Sequence, residues 1–212
     1  MPKNEHLAAP ELAAVEIHGM TRSAFLLRAA LGAGAVSGAA AVTPFVRSAL
    51  AQDPGGDVEI LNFALTLEYL EAEFYARSQR RTIGLSDDLA SLSRTFGEHE
   101  LQHVDALRAT IEALGGRPTS RPAFEFPLAN EEDFRELAVT LEDTGLSAYN
   151  GAAPSIDSRE VLAAAGGIAQ VEARHAAGLR LKTGQEPAPY AFDKTLSRDQ
   201  VEDRISKLIM GA

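Results

Sequence analysis

Four short strings hold most of the candidate chemistry of this chain. Glu68-Tyr-Leu-Glu-Ala-Glu-Phe-Tyr75 and Glu142-Asp-Thr-Gly-Leu-Ser-Ala-Tyr149 each place a Tyr seven residues after a Glu. Glu100-Leu-Gln-His103 and Glu172-Ala-Arg-His175 each place a His three residues after a Glu. The first kind of unit recurs at an offset of 74 residues and the second at 72. On a helix, residues i and i+3 lie about 60° apart and one turn along, so the Glu and His of each pair point to the same side. The pairs fall on apolar stripes. Glu100 and His103 interrupt Phe96, Leu107 and Ile111, Glu172 and His175 sit between Ile168 and Leu179, and Glu142 sits between Ala138 and Leu146. Ionised carboxylates at core positions are very costly unless they are paired or bind metal. Two divalent ions carry the charge that neutralises Glu68, Glu100, Glu142 and Glu172. Glu and His donors suit iron or manganese, and zinc is compatible.

Each feature alone has an ordinary explanation: a solvated Glu-x-x-His, a boundary Glu, a packed Tyr. Two copies in matching order on four segments point instead to a shared site. Glu71, three residues after Glu68, is the alternative to it as a ligand, and Tyr75 at i+7 favours Glu68. Glu73 points off that face and reads as solvated. His99 lies about 100° from Glu100 and reads as a flanking residue rather than a ligand. Tyr75 and Tyr149 read as core residues that each give one hydrogen bond to a ligand carboxylate, with a redox-active role as the alternative.

The segments carrying these strings read as helices. Helical spacing runs from Val58 to Arg81 and from about Asp87 to Leu114, where Gly115-Gly116 forms a C-cap. Arg117 to Asn130 holds three prolines and reads as an extended connection. A third helix runs from an Asn130 cap to Ala152. A fourth starts in a capping box, Asp157-Ser-Arg-Glu160, and ends near Gly184. Ser197-Arg-Asp-Gln200 opens a short fifth helix to about Met210. No strand shows sustained alternation. Two helical hairpins joined by one long connection give an all-α chain, a four-helix bundle with a long crossover between helices two and three and a short C-terminal helix. This is the topology of ferritin-like folds.

The strings LNFALTLEYLEAEFY, HELQHVDALRATIEALGG and IAQVEARHAAGLRLKTG resemble the exported bacterial ferritin-like domain proteins of the di-metal carboxylate superfamily. The resemblance covers Glu59 to about Gly184. It implies that helices one and three give one Glu each and helices two and four a Glu-x-x-His each. The implied ligands are Glu68, Glu100, His103, Glu142, Glu172 and His175, with Glu100 and Glu172 at the positions that bridge two metals. It also implies metal-dependent oxidation, with dioxygen or peroxide as partner, or iron or peroxide detoxification. The alternative is a non-enzymatic metal-binding or structural stress protein of the envelope. The chain lacks the Cys-rich module of rubrerythrins and the Lys-rich arm of DNA-protecting relatives. Met210 is the one Met after residue 51, which leaves no match for the haem-binding Met of bacterioferritin. Self-association into a homo-oligomer is compatible with such a bundle.

Composition agrees with a compact domain. Of 212 residues, 45% are hydrophobic and 24% charged. The net charge of −10 argues against nucleic acid as a partner. The absence of Cys excludes iron–sulfur clusters, thiolate zinc sites, disulfides and thiol catalysis. Residues 29–46 are uncharged and rich in Ala and Gly, preceded by Arg22 and Arg28 and followed by Ala49-Leu50-Ala51. This pattern predicts an export signal over 1–51, cleaved between Ala51 and Gln52, and a domain over 52–212. The apolar stretch is too weak for a stable membrane span. The segment TRSAFLLRAA resembles a twin-arginine signal at Arg22, Phe25 and Leu26, with Ser23 in place of the second Arg. Glu5, Glu11 and Glu16 are unusual for such a leader, and a start at Met20 would give a compact signal without them. The expected destination is the periplasm or the extracytoplasmic envelope. His6 and His18 would leave with the signal.

Overall fold

The first long helix forms because residues 58–75 repeat apolar side chains every three to four positions. Leu61, Leu65, Leu67, Leu70, Phe74 and Tyr75 are all buried. The computed structural model describes residues 16–17, 20–21, 55–80 and 83–210. In the bundle, α1 spans Gly55–Arg80, α2 Asp87–Ala113, α3 Glu131–Ala152, α4 Arg159–Lys182 and α5 Arg198–Ile205. In the N-terminal part of the chain, two-residue strands β1 (Glu16–Ile17) and β2 (Met20–Thr21) pair antiparallel. The expected signal otherwise lies outside the described residues, as do His6 and His18. Among the described residues, no helix is long and apolar enough to cross a membrane.

The helix ends follow their local sequence. At the end of α2, Gly115 adopts φ 79°, its N–H donates to the Glu112 carbonyl and the Gly116 N–H to that of Ile111. This left-handed turn is open to glycine at no steric cost and stops the helix. The Asn130 side chain accepts from the N–H groups of Glu132 and Asp133 at the start of α3. Helix α4 departs from expectation by one residue: Ser158, not Asp157, is the cap, accepting from Val161 N–H. The reason is Asp57, buried at the start of α1, whose carboxylate accepts from both Asp157 N and Ser158 N at 2.9 Å. A side chain 100 residues away thus takes the Asp157 N–H that a local capping box would have bound. Ser197 and Gln200 form a capping box at the start of α5, which ends at Ile205, short of the expected Met210, and is followed by a tighter turn over Ser206–Leu208.

Helices α1 and α2 form one hairpin, α3 and α4 the other, and α1 also packs on α3 and α2 on α4. The connection between hairpins is held at its middle by the tail. Glu125 N donates to the Leu208 carbonyl and Met210 N to that of Ala123, at 2.9 Å each. Phe124 and Phe126 of this connection are buried, and Phe126 meets Phe74 edge-on while Phe134 stacks on Phe74. Each such side chain contributes about 1.5–3 kcal/mol on burial. The apolar core is interrupted at mid-length by one layer of carboxylates and imidazoles.

Candidate metal centre

Every residue of the sequence-derived set reaches that layer. Glu68, Glu100, Glu142 and Glu172 are fully buried, His175 nearly so, and His103 is 8% exposed. Two groups form around a common pair. Glu68, Glu100, His103 and Glu172 offer ligand atoms within 4.8 Å of one another, and so do Glu100, Glu142, Glu172 and His175. Glu100 and Glu172 belong to both. His103 Nδ1 lies 2.9 Å from Glu100 Oε2, 3.1 Å from Glu68 Oε2 and 3.2 Å from Glu172 Oε1. His175 Nδ1 lies 3.0 Å from Glu100 Oε1 and 3.2 Å from Glu142 Oε2.

The donor set fits a divalent cation by its unmet bonding. Glu100 Oε1 and both oxygens of Glu172 are buried without a hydrogen bond. The imidazole approaches to Glu100 Oε1 and Glu172 Oε1 are close but lie off the hydrogen-bonding direction. Buried polar atoms are seldom left so, and a cation held by these groups would satisfy them.

Electrostatics agree. Burial, then the charge of Glu172, pushes the Glu100 carboxyl up to about 7. Burial also raises Glu142, against a hydrogen bond from His175, and raises Glu172 further, helped by the charge of Glu142. Burial opposes charge on His103. The carboxylates of Glu100, Glu172 and Glu68, each within 3.2 Å of its Nδ1, outweigh it and push His103 up to about 12. The same balance, with Glu100 and Glu142 as partners, takes His175 to about 10. Groups whose proton affinities depart this far, in one buried layer, mark a functional site more often than a structural one.

The tyrosines cross between the halves. Tyr149 Oη on α3 donates to Glu68 Oε1 on α1 at 2.5 Å, and Tyr75 Oη on α1 donates to Glu142 Oε1 on α3. Helical spacing set each Tyr above the Glu of its own helix. The antiparallel packing of α1 on α3 instead carries each phenol to the Glu of the other.

Two side chains make contacts that their sequence reading did not include. His99, read as flanking, touches the centre: its Nδ1 lies 2.9 Å from His175 Nε2, and the two rings stack at 5.1 Å. Its position one residue before Glu100 aims it at α4, and only the packing of α2 on α4 makes that a contact. Glu73, read as solvated, is held by Arg77 at 2.8 Å, by Arg80 at 3.1 Å and by Arg121. Arg121 arrives on the crossover, so helical spacing could not show it. Glu71 is buried at 2% exposure and is absent from both ligand groups.

A cleft of about 440 Å³ leads to the layer between α2 and α4, lined by Phe96, His99, Gln102, Val171 and Arg174 with His103 and His175 at its floor. It gives a small molecule or ion a route to both imidazoles.

With this site in place, comparison with known proteins decides the family. Residues 56–185 match the family described as the ferritin-like domain. The chain belongs to the ferritin-like domain family. Ferritin-like domains bind metals, and in this one the buried Glu and His groups can hold metal ions. The desiccation-related protein PCC13-62 of Craterostigma plantagineum is 27% identical over 167 residues, covering 60% of this chain and 53% of that protein. The chain thus spans about half the length of that curated relative.

Proposed function

We propose that this ferritin-like domain holds two divalent ions, iron or manganese with zinc compatible, between Glu68, Glu100, His103, Glu142, Glu172 and His175. The observation that carries the reading is the pair of four-residue groups sharing Glu100 and Glu172. Glu100 and Glu172 would each serve both ions, and four Glu charges would balance two divalent ions. Bound there, iron or manganese supplies redox and Lewis-acid chemistry toward dioxygen or peroxide. The chain's own residues do the rest. The imidazoles present Nδ1 to the centre, and Tyr75 and Tyr149 fix the rotamers of Glu142 and Glu68. The apolar layers above and below exclude water, and the cleft between α2 and α4 admits a small reactant. The activity proposed is metal-dependent oxidation, ferroxidase or peroxide removal. Consumption of Fe(II) or peroxide by metal-loaded protein, lost in a His103→Ala/His175→Ala double variant, tests it. No consumption above free metal counts against turnover.

A second reading, metal holding or a structural stress role without turnover, is favoured by the desiccation-related name of the relative. The same assay separates the two. We place the domain outside the cytoplasm on the export-signal pattern of residues 1–51. N-terminal sequencing of protein from the envelope fraction tests that placement, with Gln52 as the expected first residue.

A further inference from the structure

The 74-residue offset that aligns Glu68 with Glu142 and Tyr75 with Tyr149 also aligns Glu71 with Gly145. One half carries a carboxylate at this position and the other carries no side chain. The two residues face each other between α1 and α3. A Cβ on Gly145 would stand 2.9 Å from Glu71 Oε1 and 3.5 Å from its Cδ. Glycine inside a helix is disfavoured against alanine, and here it leaves the room that the Glu71 carboxylate fills.

One oxygen of that carboxylate is orphaned. Its Oε2 is buried with no hydrogen bond, and no described ion pair involves it. Glu73, two residues on, shows the contrast, with three arginines around it. The charges acting on Glu71 are those of the centre, Glu172 most strongly, then Glu142, Glu68 and Glu100. A carboxylate buried beside four others, with no cation of its own, is tolerated when it shares theirs. Glu71 also approaches from the α1–α3 side, whereas the cleft opens between α2 and α4.

We infer that Glu71 is a further carboxylate ligand of the metal centre, admitted by the missing side chain of Gly145. This rests on the di-metal reading. It makes the two halves of the centre unequal, with five carboxylates and two imidazoles rather than a symmetric set of six ligands.

The test uses the full chain, Mn(II) titration calorimetry and the visible absorption of the Co(II)-loaded protein, whose bands report coordination number. Glu71→Gln keeps the shape of the side chain and should weaken Mn(II) binding about tenfold or more, with a changed Co(II) spectrum. Gly145→Ala keeps every carboxylate but pushes Glu71 aside, and should shift the Co(II) spectrum in the same direction. It also reads the proposal if Glu71→Gln fails to fold. Glu73→Gln, two residues away and outside the centre, should change neither. Unaltered Mn(II) affinity in Glu71→Gln, or Co(II) spectra unaltered in both variants, would overturn the assignment. Weaker binding with unaltered spectra makes Glu71 a neighbour and not a ligand, and overturns it too. Wild-type protein that takes up no metal defeats the di-metal reading itself, before any substitution is made.

Discussion

Tyr149 Oη on α3 reaches across the bundle to Glu68 Oε1 on α1 at 2.5 Å, and Tyr75 returns the same bond to Glu142. This reciprocity ties the two hairpins together at the level of the site. A phenol donating to each of these carboxylates holds its rotamer and leaves the second oxygen, Oε2 in each case, facing an imidazole.

Removing either phenol hydroxyl should therefore loosen metal binding more than it loosens the fold. Tyr149→Phe and Tyr75→Phe should each lower metal affinity by about 10–100-fold, the usual cost of losing a partner that orients a ligand. A hydrogen bond to a charged group contributes about 1.5–3 kcal/mol, so a lower but cooperative melting transition is expected. Calorimetric titration and thermal melting of both variants check this. Full affinity in both would show that the phenols only pack.

His99 should behave as an orienting partner of His175. His99→Ala leaves every proposed ligand in place but frees the His175 ring, and metal affinity should fall by about tenfold. His99→Gln, which retains a polar group, should recover part of the loss. Direct titration of the two variants measures it, and equal affinities in wild type and both variants would reduce His99 to a surface residue.

Stability without metal should fall as pH rises. Glu100 moves from 4.5 up to about 7 on folding, with Glu142 and Glu172 moving the same way. His175 moves from 6.5 up to about 10. Each group holds its proton more tightly folded than unfolded. Its contribution is complete below the unfolded value and is lost as pH climbs through the folded value. Metal takes the deprotonated donors and binds the folded chain, so it offsets this loss. The gap in melting temperature between metal-loaded and metal-free protein should be small at about pH 5 and wider at about pH 7.5. Melting curves across that range check the sign, and a gap that narrows with rising pH contradicts it.

Neutralising the shared carboxylates should separate stability from binding. Glu100→Gln/Glu172→Gln removes two buried charges among like charges, so the metal-free form should melt higher than wild type. The same variant should lose most of the stabilisation by metal. A metal-free double variant that melts lower than wild type would mean that these carboxylates support the fold by other bonds.

The sequence displayed much of this candidate centre because its proposed ligands lie on helices, where spacing sets direction. Glu100 and His103, three residues apart on an apolar stripe, could only face inward together. Long-range packing was less visible. The crossing of Tyr75 to Glu142 depends on α1 and α3 being antiparallel neighbours. The cap at Ser158 depends on Asp57, and the arginine cage of Glu73 depends on where the crossover brings Arg121. Glu71 was visible as an alternative to Glu68. The structure buries both, and the space opposite Glu71 belongs to a glycine 74 residues along the chain. No local pattern reports such a vacancy, although the internal repeat does when the two halves are aligned.

The most direct measurement is metal content. Protein covering residues 52–212, stripped with chelator, loaded with Fe(II) or Mn(II) and freed of excess ion, should carry about two ions per chain by elemental analysis, as the paired-ligand template implies. The His103→Ala/His175→Ala double variant, still folded, should carry far fewer. A folded wild-type sample that retains no metal, or a double variant that retains the full amount, contradicts a two-ion centre built from Glu68, Glu100, His103, Glu142, Glu172 and His175.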